Sequence, residues 1–79
     1  PKDLPREKFL DWQLNAFRKI MENNEMHLGR KIIFIHGQGD GVLRKALTTE
    51  LDERWWTCEY APAPEDEFGF MAAIVVTIK

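Results

Sequence analysis

Cysteine is nearly absent: Cys58 stands alone, so no intrachain bridge can staple the chain, which excludes the disulfide framework of small secreted domains. Long apolar runs are missing too, since none approaches the roughly 20 residues that span a bilayer as a helix. Positive charge is scarce. Eleven Lys and Arg face thirteen Asp and Glu, and a formal net charge of -2 provides no global field to attract a polyanion. Affinity for nucleic acid would therefore have to come from a local patch. Repeats and low-complexity tracts are absent, and 79 residues make one small domain with no room for a second. Cysteine usage points to a cytoplasmic location. The opening Pro1-Lys2-Asp3-Leu4-Pro5 has neither an initiator Met nor a basic-then-apolar leader, so the chain reads as the carboxyl-terminal piece of a longer protein.

The charge that is present is unevenly placed. Residues 1 to 54 hold ten basic and nine acidic side chains, whereas residues 55 to 79 hold only Lys79 against Glu59, Glu65, Asp66 and Glu67. Pro5 suits the start of a helix, and Phe9, Leu10, Leu14, Phe17, Ile20 and Met21 fall in one arc at 3.6 residues per turn. That core-facing helix should fade at Asn23-Asn24. Lys31-Ile32-Ile33-Phe34-Ile35 reads as a strand buried on both faces, implying a parallel or mixed sheet. Then come His36-Gly37-Gln38-Gly39-Asp40-Gly41, and Val42, Leu43, Ala46, Leu47 and Leu51 at helical spacing. Trp55 to Tyr60 reads as a second strand, stopped by Ala61-Pro62-Ala63-Pro64, whose prolines cannot continue a ladder. Residues 65 to 70 form a connection. Met71 to Ile78, almost continuously apolar, belongs in the middle of the sheet.

Alternating glycines at Gly37, Gly39 and Gly41 let a backbone curl around an anion without Cβ atoms in the way. Because the turn runs straight into a helix, unpaired N–H groups and the positive end of the helix dipole face whatever it holds. Phosphate is the natural guest, provided the amides from His36 to Val42 are free and converge. Glycine in such turns also serves geometry alone, so this alternative stays open. Neither the dinucleotide G-x-G-x-x-G nor the P-loop Gly-Lys-Ser/Thr is present, which argues against a mononucleotide site. His36 stands at the carboxyl end of the strand, where it could donate to a phosphate or exchange a proton. Arg44 and Lys45, one turn into the helix, add cationic contacts. Asp40 is expected to be the helix N-cap.

Ile33-Phe34-Ile35-His36-Gly37-Gln38-Gly39-Asp40-Gly41-Val42-Leu43-Arg44 resembles the H-G-x-G-x-G-x-L-R signature of the Smr (small MutS-related) domain. The helix around Gln13 to Phe17 and the segment Gly69 to Ile78 resemble that family's first helix and its closing loop and strand. In particular the chain is similar to Smr domains at the carboxyl end of larger bacterial proteins. The resemblance implies a two-layer α/β sandwich like the carboxyl-terminal domain of translation initiation factor 3, β-α-β-α-β-β. It implies a mixed sheet with the C-terminal strand central and the first strand missing. Family members bind nucleic acid, and some nick DNA or RNA as appendages of mismatch-repair-like or ribosome-associated proteins. His36, Gly37, Gly39, Gly41 and Arg44 match the binding signature, and Gly69 the later glycine of the closing loop. The family's L-D-x-H motif has no match before Pro5, and its closing G-x-G-A-T becomes Gly69-Phe70-Met71-Ala72-Ala73. Hydrolysis would rest on His36 alone, and a lone imidazole is a poor nuclease, so residues 1 to 79 are expected not to cleave. Nicking is expected only of an intact parent protein that supplies the missing pair.

The leading expectation is therefore a nucleic-acid-binding module, structure- rather than sequence-specific, using the span from His36 to Lys45 without metal or cofactor. The competing one is a protein-docking module with lost nuclease function, presenting Trp12, Phe68 and Phe70. A small-phosphate enzyme is the least supported. Of Trp55 and Trp56, strand alternation would bury one and expose the other, where it could stack on a base. His27, Arg30, Lys31 and Glu65 to Glu67 read as solvated positions, and Cys58 as inert and buried.

Overall fold

The computed structural model describes residues 5 to 37 and 41 to 79, the side chain of Arg6 excepted. Pro5, held at φ -56°, opens α1 (Arg6–Asn24), and its carbonyl accepts the Phe9 N–H at 2.9 Å. The helix ends as its asparagines predict, with Asn24 Nδ2 donating to the Ile20 carbonyl at 2.7 Å in its last turn. Only Phe17 and Met21 of the apolar arc are fully buried, with Leu14 beside them, while Ile20 stays largely exposed.

The elements that follow are β1 (Lys31–Ile35), α2 (Val42–Arg54), β2 (Glu59–Pro62), the single turn of helix α3 (Glu65–Phe68) and β3 (Ala73–Thr77). The strand order is β1-β3-β2, so the carboxyl-terminal strand is central as expected. Both ladders are antiparallel, running from Lys31↔Thr77 to Ile35↔Ala73 and from Glu59↔Thr77 to Pro62↔Ile74. Among the described residues the sheet is thus antiparallel throughout instead of mixed, because β1 and β2 run the same way but flank β3 without touching. The first described element is α1, and the strand that the resemblance puts before it has no counterpart among these residues.

The layers follow from what β1 and β3 bury. Phe34, Ile74 and Val76 point to one face, where they meet Phe17 and Met21 of α1, Leu47 and Leu51 of α2, Trp55 and Ile78. Phe17 is the hub, meeting the Phe34 ring edge-on at 4.7 Å and the Trp55 ring at 5.8 Å. Among the described residues nothing covers the opposite face of β1, where Ile33 is 43% and Ile35 68% exposed. The expectation of a strand buried on both faces is corrected: β1 is an edge strand with one covered face. A two-layer α/β sandwich results.

The second strand also lies later than expected. Trp55 closes α2 by donating its N–H to the Leu51 carbonyl at 3.1 Å, and the Cys58 N–H then turns back onto the Trp55 carbonyl. Pairing therefore begins only at Glu59 and includes Pro62. The Ala63 N–H bonds the Ala73 carbonyl at 3.0 Å, which puts odd-numbered residues in the bonded pairs and aims the position of Pro62's missing N–H at the outer edge. Between the helices, Glu50 is buried and accepts from Arg18 of α1, with Arg54 at 3.7 Å on its other oxygen. Tyr60 Oη donates to Asp52 at 3.0 Å, tying β2 to α2. That bond, then burial, then the Asp52 charge all raise the phenol pKa above its ordinary value. No described helix is long and apolar enough to cross a membrane.

A candidate phosphate-binding site

The carboxyl end of β1, the amino end of α2 and the amino end of β3 meet at one end of the sheet. There the chain leaves β1 under restraint: the N–H groups of His36 and Gly37 both donate to the Ala72 carbonyl, at 2.9 Å each. The expectation of free amides from His36 onward is thus corrected, since a backbone oxygen of the protein already occupies the first two. His36 Nδ1 lies 2.8 Å from the Gly37 carbonyl, which places its proton there and leaves Nε2 as the acceptor. Nε2 is buried with no hydrogen-bond partner. In this conformation the imidazole presents neither nitrogen to a phosphate arriving from solvent. Gln38, Gly39 and Asp40, expected to shape the turn, lie outside the described residues.

Beyond the turn, Gly41 is the N-cap of α2, at φ +81°, the position expected for Asp40. No heavy atom lies within 4 Å of where a Cβ would stand at Gly37 or Gly41, so their backbone lies open to a ligand. The Lys45 N–H closes the first helical bond, to the Gly41 carbonyl at 2.9 Å, and the Leu43 and Arg44 amides before it have no intrahelical acceptor. Arg44, Lys45, Gly41 and Thr48 line one shallow cleft at this terminus. Thr48 was not anticipated, although its place one turn after Arg44 puts it on the same stripe. Its hydroxyl donates to the Lys45 carbonyl at 3.0 Å.

Charge marks the same cleft, although Lys8, Lys19 and Lys31, elsewhere on α1 and β1, are likewise without an ion pair among the described residues. Arg18, Arg54 and Lys79 are held by Glu50 or Glu59, and Arg30 by Asn24. Arg44 and Lys45 are exposed and make no ion pair among the described residues, and the first turn of α2 carries no acid. Two cations at the positive end of a helix dipole, with no counter-ion among the described residues, are an arrangement that suits an anion.

The connection stapled beneath the turn is itself unusual. Gly69 caps α3 at φ +94°, donating its N–H to the Glu65 carbonyl at 2.8 Å. Two residues on, Met71 sits at φ +55°, left-handed for a side chain that disfavours it. That is where the G-x-G of the closing pattern has its second glycine. Between them Phe70 is 63% exposed. The acidic side chains of α3, Glu65, Asp66 and Glu67, lie at this end of the sheet as well.

Of the remaining candidates, Trp12 approaches this end of the sheet, in a groove that also takes in Ile35 and Leu43. Trp55 is core, its Nε1 donating to Glu25 at 2.8 Å, and Trp56 is exposed at the far end of α2. Trp12 borders an apolar groove between α1, β1 and α2 that contains neither Phe68 nor Phe70. His27 is exposed, Lys31 lies at the other end of β1 with its Nζ 3.4 Å from Thr77 Oγ1, and Cys58 is half-buried against the core instead of enclosed. Among the described residues no three His, Cys, Asp or Glu side chains are grouped to hold a metal ion. Neither a curated protein nor a solved structure matches the chain. The Smr domain family matches it over residues 7–79, nearly its whole length and including the turn and cleft just described, and the chain belongs to that family.

Proposed function

We propose that this domain binds the phosphate backbone of nucleic acid at the amino end of α2, through the Arg44 and Lys45 side chains, the Leu43 and Arg44 amides and the open backbone at Gly41. The observation that carries the reading is the cleft of Gly41, Arg44, Lys45 and Thr48, whose two cations have no counter-ion among the described residues at a helix terminus. Membership of a family whose members bind nucleic acid supports it. Contacts of this kind fix position without reading bases, so recognition depends on structure more than sequence. Gly37 contributes through conformation and access, at φ +78°, since its N–H is engaged. Gln38, Gly39, Asp40 and Gly69 remain part of the proposed surface as parts of the turn and its neighbour.

Cleavage is assigned to no residue here. His36, the one candidate, keeps Nδ1 on a backbone carbonyl and Nε2 out of reach, so it acts in shaping the turn. A DNA repair role and nicking by a longer parent protein are proposed from the family, and a cytoplasmic location from the single cysteine. The test is binding of a labelled oligonucleotide across a salt series. Arg44→Ala is expected to weaken affinity and to flatten the slope of log affinity against log salt by about 0.7–0.9, the value of one lost phosphate contact. Unchanged affinity and slope would overturn the proposal. The protein-docking reading draws on the exposed Trp12 groove, which neither Phe68 nor Phe70 lines.

A further inference from the structure

We infer that the groove beside Trp12 takes a base of an unpaired nucleic-acid strand whose phosphates run on to Arg44 and Lys45; this rests on the backbone-binding reading above. The groove offers about 150 Å³, the room of one aromatic ring, between Trp12, Ala16 and Ile20 of α1, Phe34 of β1, and Leu43 and Leu47 of α2. Trp12 and Ile20 stay 52% and 41% exposed although they are large and apolar. Leu43 joins groove to cleft. It lines the groove, and the next residue of α2 is Arg44, one Cα step of about 3.8 Å along and about 100° round the helix. The first turns of α2 thus carry the groove on one side and the cationic cleft on the other.

Charge decides what the groove meets. Lys8 stands four residues before Trp12 and Lys19 seven after it, so helical spacing puts both on the Trp12 stripe of α1, and neither has an ion pair among the described residues. Asp11 and Glu7 fall about 100° or more away round the same helix. An apolar groove flanked by Lys8 and Lys19 on α1 and by Arg44 on α2 suits a ligand that joins flat apolar groups to anions, which is the chemistry of a single strand. A second copy of this face would bring like charges together, and an apolar peptide would leave the cations unanswered.

The indole is placed to stack. Phe9, one turn earlier, braces its ring at 5.9 Å with a tilt of 41°. Gln13, at the groove wall, has an amide with no hydrogen bond among the described residues, free to meet a base edge. A duplex cannot offer a base face without unstacking, and a single strand can. Every base has a π face, so stacking there is tolerant of sequence.

The experiment is fluorescence anisotropy with a labelled mixed-sequence single strand and the same sequence as a blunt duplex, in DNA and in RNA, for the whole chain and its Trp12→Ala, Trp12→Phe and Arg44→Ala variants. Alanine is the stronger helix former at this exposed position, so Trp12→Ala keeps the fold. Trp12→Ala is expected to lose about tenfold in affinity for the single strand, within the range of one base stack, with little change on the duplex, and Trp12→Phe to recover most of it. Single-strand affinity unchanged in Trp12→Ala, or an equal loss on both forms, would overturn the inference while an Arg44→Ala loss kept the phosphate reading. Self-association of the chain that Trp12→Ala abolishes, with single-strand affinity unchanged, would assign the groove to a second copy and overturn it as well. No binding of any form would overturn both readings.

Discussion

Met71 shows how a single backbone angle separates the needs of the fold from those of a site. At φ +55° an L side chain crowds its own carbonyl, at a cost of roughly 1–2 kcal/mol that glycine avoids. Met71 is also only partly buried, so little packing offsets the cost. Met71→Gly is therefore expected to leave the domain at least as stable, and Met71→Val, β-branched and stiffer, to lower stability by about 1 kcal/mol or more. Denaturant midpoints of the two variants check this. The reverse order would mean that the side chain packs better than its exposure implies. His36 poses the contrasting case: its ring is consumed by its own turn, with a buried orphan at Nε2.

Among the elements, β1 carries both a success and a failure of sequence reading. Its place, Lys31–Ile35, was legible from β-branched composition, and α1 from its periodicity. The failure concerns the faces. A run such as Ile32-Ile33-Phe34-Ile35 looks the same whether one face is covered or two, and alternation cannot reveal that helices pack on one side only. Ile33 and Ile35 also present their N–H and C=O groups to the outer edge, since His36 and Ile78 place even-numbered residues in the bonded pairs. Phe34→Ala is accordingly expected to cost about 3–5 kcal/mol, enough to threaten so small a domain, and Ile33→Ala about 1 kcal/mol or less. Equal losses in urea unfolding would show the outer face to be covered after all.

The start of β2 was misread for a related reason, since Trp55-Trp56 has strand-like composition but the helix had another turn to make before Glu59. At the site, the signature run located the turn and Arg44. The engagement of the His36 and Gly37 amides was illegible, because it depends on a carbonyl 36 residues from His36 brought near only by the β1–β3 register.

For the molecule as a whole, charge is the governing quantity. A net charge of -2 gives no long-range attraction, so the proposed binding would rest on two cations with no counter-ion among the described residues at one helix terminus, opposed by the acids of α3 at the same end of the sheet. Replacing Glu65, Asp66 and Glu67 with Gln, Asn and Gln is expected to raise oligonucleotide affinity several-fold at low salt, and the gain should fade above about 0.15 M as screening shortens to roughly 8 Å. Gain without salt dependence would point to a change in fold instead of field. The most direct measurement is amide chemical-shift mapping during titration with a single-stranded oligonucleotide. The largest shifts are expected at Gly41, Arg44, Lys45 and Thr48; shifts confined to the α1 side of the Trp12 groove or to the open face of β1, with those four silent, would contradict the phosphate-binding account.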